Sequence, residues 1–196
     1  DIAYAAVLLP DGKIVLAGQA ETGSSQDFAL LRVNPDGSPD TTFGSGGWVV
    51  TDFNGGDDGA RAIILMEDGR LVVAGVAANG ATTDFAVARY MANGSPDPLF
   101  GSSGKTTTDF GINNNDEAAA LVLQPDGKLV VAGWAFNGTS ADFALARYTT
   151  NGGLDNSFDE DGRVTTDLSA GDDHITSLGL QPNDKLVVAG RAYTAT

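Results

Sequence analysis

Carboxylates are the reactive groups this chain has most of. Its 196 residues hold 26 Asp and Glu against 11 Lys and Arg, with one histidine, no cysteine and a net charge of −15. A carboxylate can work as half of a glycosidase acid/base pair, ligate a hard cation, or fix a turn by accepting a backbone amide. Thiol chemistry is excluded by the absence of cysteine. A serine or threonine nucleophile would have to use His174 as its base, and a lone histidine reads as structural or solvated. No phosphate loop is present, and Gly44-Ser45-Gly46-Gly47 reads as a turn.

The elements that must position these acids are repeated. Leu9-Pro10-Asp11-Gly12-Lys13-Ile14-Val15-Leu16-Ala17-Gly18 returns as Met66 to Gly75, as Gln124 to Gly133 and, with Asn183-Asp184 in place of Asp-Gly, as Gln181 to Gly190. The spacings are 57, 58 and 57 residues. Asp27-Phe28-Ala29 recurs at Asp84 and Asp142, and Thr51-Asp52-Phe53 at Thr108 and Thr166. One supersecondary unit has been copied in tandem.

Apolar runs bounded by Gly, Asp, Asn and Pro predict four strands per unit, which in the first copy are Ala3 to Leu9, Lys13 to Gln19, Phe28 to Val33 and Trp48 to Phe53. The second run is continuously apolar, as suits a strand covered on both faces. The fourth is polar in two copies, which places it outermost, while Ala3 and Ala5 with their counterparts suit a crowded axis. Asp-Gly between the first two strands predicts a two-residue hairpin with positive φ at both positions. The expected fold is all-β: a β-propeller of four-stranded antiparallel blades, with blades at 1–57, 58–115 and 116–172 and the first two strands of a fourth at 173–196. A β-solenoid has shorter coils and fits less well.

The segments Gln124 to Gly133, Asp142-Phe143-Ala144-Leu145-Ala146-Arg147-Tyr148 and Asn151-Gly152-Gly153-Leu154-Asp155-Asn156-Ser157-Phe158 resemble the bacterial delta-60 repeat, a propeller-type repeat of unknown function. The resemblance covers essentially the whole chain. It implies a bacterial, secreted or surface-associated parent protein, and it implies no reaction.

The repeat also sorts the acids. Positions alike in every copy serve the blade, and positions that differ are free to serve a site. Asp11, Asp27, Asp40 and their counterparts are therefore structural, and Arg32, Arg89 and Arg147 are expected to pair with acids of their own blades. Asn34, Asp36, Ser38 and Asp40 have the spacing of early calcium-loop ligands, but their counterparts include Met91, Thr149 and Gly153, and no Glu closes any copy. No metal or cofactor is expected. Asp57-Asp58, Asp116-Glu117 and Asp172-Asp173, with Asp1 in register, are expected on one face near the axis, where they could attract a cation; the preferred reading is a solvated acidic rim.

The slot after each Ala-Gly holds Gln19, Val76, Trp134 and Arg191 in turn, with Phe136, Tyr193, His174 and the Asn113-Asn114-Asn115 insertion nearby. These residues fall on loops of one face, where aromatics and arginine serve partner recognition. Candidate binding residues are thus Trp134, Phe136, Arg191, His174, Tyr193 and Asn114. The charge opposes nucleic acid and anionic membrane as partners, and no stretch is long and apolar enough to span a bilayer.

Asp1 as first residue and about 3.4 copies, where closure needs at least four blades, indicate a processed or truncated piece. Its edge would be covered by further sequence or another subunit. The expected function is a non-catalytic interaction or scaffold module of a bacterial extracytoplasmic protein that binds a protein or carbohydrate. The alternative is a polysaccharide-acting hydrolase or lyase.

Overall fold

The computed structural model describes residues 1–111 and 114–193. Three blades have four antiparallel strands each: β1 Ile2–Leu8, β2 Ile14–Thr22, β3 Ser25–Val33 and β4 Trp48–Thr51; then β5 Gly59–Leu65, β6 Leu71–Asn79, β7 Thr82–Tyr90 and β8 Lys105–Thr108; then β9 Asp116–Leu123, β10 Leu129–Phe136, β11 Ala141–Tyr148 and β12 Arg163–Thr166. A two-stranded sheet, β13 Asp173–Leu180 and β14 Leu186–Ala192, follows. The order within each blade is sequential, and the chain is a β-propeller array of about three and a half blades, with no helix among the described residues.

Strands two and three are longer than the apolar runs. In the first blade β2 runs on to Thr22 and β3 starts at Ser25, so Asp27 lies inside a strand, not ahead of one. The fourth strand is shorter than expected and stops at Thr51. The hairpin turn also differs from the two-residue form. Only Gly12 has positive φ (84°), and the Leu9 amide donates to Lys13 O while the Gly12 amide donates to Leu9 O. This is a turn followed by a left-handed glycine, with Asp11 accepting the Lys13 amide. In the fourth copy Asp184 occupies the left-handed position at φ 62°, a conformation Asp tolerates better than most residues.

Every innermost strand has a β-bulge at one place. Tyr4, Arg61, Ala119 and Thr176 are the extra residues, opposite the Ala-Gly of the second strand. At Gly18, Gly75, Gly133 and Gly190 an added Cβ would collide with a backbone carbonyl of the neighbouring strand. The glycine of each Ala-Gly is thus required by close backbone approach.

The cores lie between blades rather than within them. In β6, Leu71 and Val73 join the core shared with the first blade, whereas Val72 and Ala74 join the core shared with the third. This two-sided burial explains the unbroken apolar run. Between blades, Thr51 and Tyr90 share a hydroxyl hydrogen bond of 2.7 Å, as do Thr108 and Tyr148.

Candidate functional site

The turns between strands one and two and between strands three and four lie on one face, here called lower. Its ion-pair network recurs from blade to blade. Asp40, Asp97 and Asp155 accept from Arg32, Arg89 and Arg147 at 2.8, 2.7 and 2.7 Å. Each also meets the cation that follows its blade's Asp-Gly: Lys13, Arg70 or Lys128. The arginines stack at 4.6 Å over Phe43, Phe100 and Phe158, the residues three positions beyond each acid. Their guanidinium groups also reach carbonyls of the next blade, Ala92 O for Arg32 and Thr150 O for Arg89. Lys13 and the Thr42 hydroxyl hold Asp40 well below the usual carboxylate range, and the Ser157 hydroxyl and Lys128 do the same for Asp155. The arginines and acids expected to be structural are so here.

On the opposite, upper face lie the loops from strand two to strand three and from strand four to the next blade. The acids here are not a solvated rim, because one of each pair is buried: Asp58, Asp116 and Asp173 are 2%, 0% and 0% exposed. They clasp adjacent blades. Phe53 N donates to Asp58 Oδ2 (2.7 Å), Phe110 N to Asp116 Oδ2 (2.7 Å) and Leu168 N to Asp173 Oδ2 (2.8 Å). Asp57, Asn115 and Asp172, one position earlier, accept amides near the start of the preceding blade's third strand, from Gln26, Thr83 and Ala141. Glu117 is therefore out of register with Asp58 and corresponds to Gly59 and His174.

Two of these junctions gather three aspartates each, Asp27 with Asp52 and Asp58, and Asp84 with Asp109 and Asp116. Burial pushes the Asp116 carboxyl up to about 7, and the neighbouring Asp109 and Asp84 charges add to this. Burial likewise raises Asp58 and Asp84. Among the described residues, these six aspartates form the groups that could hold a cation.

Closer to the axis, the positions that break the repeat come together. Residues opposite one another on strands one and two are Ile2 and Gln19, Gly59 and Val76, Glu117 and Trp134, and His174 and Arg191. The bulged residues stand beside them. The Arg61 guanidinium lies 4.4 Å from the Tyr4 ring centroid, bonds Glu117 Oε1 at 2.8 Å and reaches Gln19 Oε1 at 3.3 Å. The rings of Trp134 and His174 pack against each other at a tilt of 46°, with centroids 5.0 Å apart. Burial, and then the Arg191 charge, lower the His174 pKa, which keeps this ring neutral at pH 7. A groove of about 410 Å³ is lined by Tyr4, Gln19, Gln26, Arg61, Glu117 and Trp134 together with the loop between the first two blades.

Of the residues expected from the sequence, the structure brings Trp134 and His174 together, with Arg191 opposite His174 on β14. Tyr193 is exposed beyond β14, with Arg191 5.8 Å over its ring. Phe136 ends β10, half-buried, its amide donating to Asn115 O. Asn114 is half-buried in the loop before β9, its amide directed at Gly111 O, and Asn113 lies outside the described residues. Sequence reasoning missed Tyr4, Arg61 and Glu117 as site residues. The signal is present in the sequence, since Tyr4, Arg61, Ala119 and Thr176 break the repeat at one position between the flanking small residues.

The chain matches the family described as Domain of unknown function (DUF5122) beta-propeller over residues 9–43, 67–100 and 124–158. Each match runs from the first hairpin to the phenylalanine beneath the stacked arginine, and so covers the lower-face network while omitting strand four and the bulged inner strand. No curated protein matches the chain. With the repeat, the blade architecture and three successive matches over more than half of its length in agreement, the chain belongs to this β-propeller family of unknown function.

Proposed function

We propose that the chain is a non-catalytic binding and scaffold module of a bacterial extracytoplasmic protein, holding a protein or glycan partner on its upper face near the axis. The observation that carries this reading is the convergence of repeat-breaking side chains from three blades in one groove, Tyr4, Arg61, Glu117 and Trp134, on backbone that is otherwise copied. Aromatic faces for stacking, a guanidinium and a carboxylate are the groups that recognise sugar rings or a peptide. A binding role also accounts for the chemistry. The carboxyl with the most raised pKa, Asp116, is fully buried and out of reach of a polymer, and Glu117 is engaged by Arg61. The acidic composition and the resemblance to a bacterial secreted repeat support the compartment.

The chain has two tryptophans, so a Trp48→Phe background isolates Trp134 as a fluorescence reporter. Titration with bacterial polysaccharide fragments or a candidate partner protein is expected to give a saturable change that Arg61→Ala removes while the far-UV spectrum is unchanged. Binding that survives both Arg61→Ala and Trp134→Ala overturns the placement. Glycan turnover abolished by changing a single acid overturns the non-catalytic reading.

A further inference from the structure

We infer that the first two blade junctions each bind a calcium ion between three aspartates, Asp27, Asp52 and Asp58 at one and Asp84, Asp109 and Asp116 at the other. One carboxylate oxygen of each residue lies within 4.8 Å of the other two in its cluster. Oxygens bound about 2.4 Å from calcium sit at most about 4.8 Å apart, so this spacing fits one shared ion. Among the described residues, no lysine or arginine forms a salt bridge with any of the six.

The second observation is independent of clustering. Asp27, Asp84 and Asp116 are at least nine-tenths buried, and the Oδ1 atom of each has no hydrogen-bond donor. Their Oδ2 atoms are served, by the Thr22 hydroxyl, by Asn79 Nδ2 at 3.0 Å and by Phe110 N at 2.7 Å. A buried carboxylate oxygen without a donor is costly and calls for a cation or a proton. An all-oxygen ligand set selects a hard cation, and the exposure of Asp52 and partial exposure of Asp109 leave a side on which waters complete a coordination of six to eight.

The third junction is the built-in control. Asp142, Asp167 and Asp173 occupy the same positions, but Ser169 stands where Asn54 and Gly111 stand at the first two, and its hydroxyl donates to Asp173 Oδ1 at 2.7 Å. Asn54 instead donates to Ala78 O, and Gly111 has no side chain to offer. Ser140 also approaches Asp142 Oδ1, at 3.4 Å. Neither Asp142 nor Asp173 is among the buried orphans, and the trio does not converge on a shared point. Donated protons replace the cation there.

The test is calorimetric titration of the chelator-stripped 196-residue chain with calcium chloride at pH 7.5. Two ions per chain are expected, with a Tm that rises with calcium concentration. Asp109→Asn should leave one ion, Asp52→Asn with Asp109→Asn none, and Asp167→Asn should leave two. These side chains are not among the fully buried ones, and far-UV spectra of the variants check that they fold. Absence of saturable binding up to about 1 mM calcium, the weak end for extracellular modules, overturns the inference. So does an unchanged stoichiometry in Asp109→Asn or a loss of one ion in Asp167→Asn. Equal affinity for magnesium overturns the assignment to calcium.

Discussion

At the lower face, Asp40, Asp97 and Asp155 are each held by two cations in the same arrangement, while at the upper face the bulged position holds Tyr4, Arg61, Ala119 and Thr176 in turn. Both faces belong to the same strands. The difference lies in what each blade needs from its neighbour. On the lower face an arginine reaches a carbonyl of the next blade and the amides of Gly44 and Gly101 donate to Asn93 O and Asn151 O, so one geometry has to recur at every junction. Near the axis above, backbone pairing and the bulge already satisfy the strands, and the side chains are free to differ.

Breaking the lower network should have the largest effect. Arg89→Ala leaves Asp97, 2% exposed, with Arg70 as its remaining cation, and a loss of about 3 kcal/mol is expected in urea unfolding, the lower end for a broken buried pair. A loss below about 1 kcal/mol would equate the two faces, since that is the range of surface pairs.

Acid should act on the same network in all blades together. Asp40, Asp97 and Asp155 have folded-state pKa values below the unfolded carboxylate range. Their contribution is complete above an unfolded pKa of about 3.9 and is lost as pH falls below it toward the folded values. Unfolding midpoints measured from pH 5 to pH 2 should fall steeply in wild type and less steeply in Asp97→Asn.

Gly133→Ala places a Cβ against the Glu117 carbonyl and strains the bulge that presents the upper face. An intermediate cost of about 2 kcal/mol is expected, as for other steric insertions into packed sites, and thermal unfolding would show it. The smallest effect should come from Arg61→Ala, which removes a partly exposed pair with Glu117 and should cost less than about 1 kcal/mol. A larger cost in denaturant titration would make the upper groove a structural element and erase the contrast.

Much of the blade was legible because its chemistry is local. Arg32 and Asp40 are eight residues apart, and Asp40 accepts the Thr42 amide two residues on. Repetition at spacings of 57 and 58 residues then made such pairs stand out. The candidate site was legible only in part. Trp134 and His174 were found because they follow or face the Ala-Gly slot, but the partners of Arg61 were not, since Glu117 is 56 residues away and belongs to the next blade. The acids beside the junctions were misread for a related reason. Asp57 and Asp58 are indistinguishable as letters, yet only Asp58 is buried, where the Phe53 and Ala78 amides of adjacent blades donate to it.

By itself, then, the amino-acid sequence determined the repeat, the four strands per blade and the order from small inner to polar outer strand. Those follow from apolar periodicity, turn preferences and sterics within a few residues. Only the tertiary structure decided that a bulge turns Tyr4 and Arg61 toward one groove, that three carboxylates meet at two junctions, and that Ser169 relieves the third. These depend on how neighbouring blades approach one another, and burial and charge compensation exist only once they have packed.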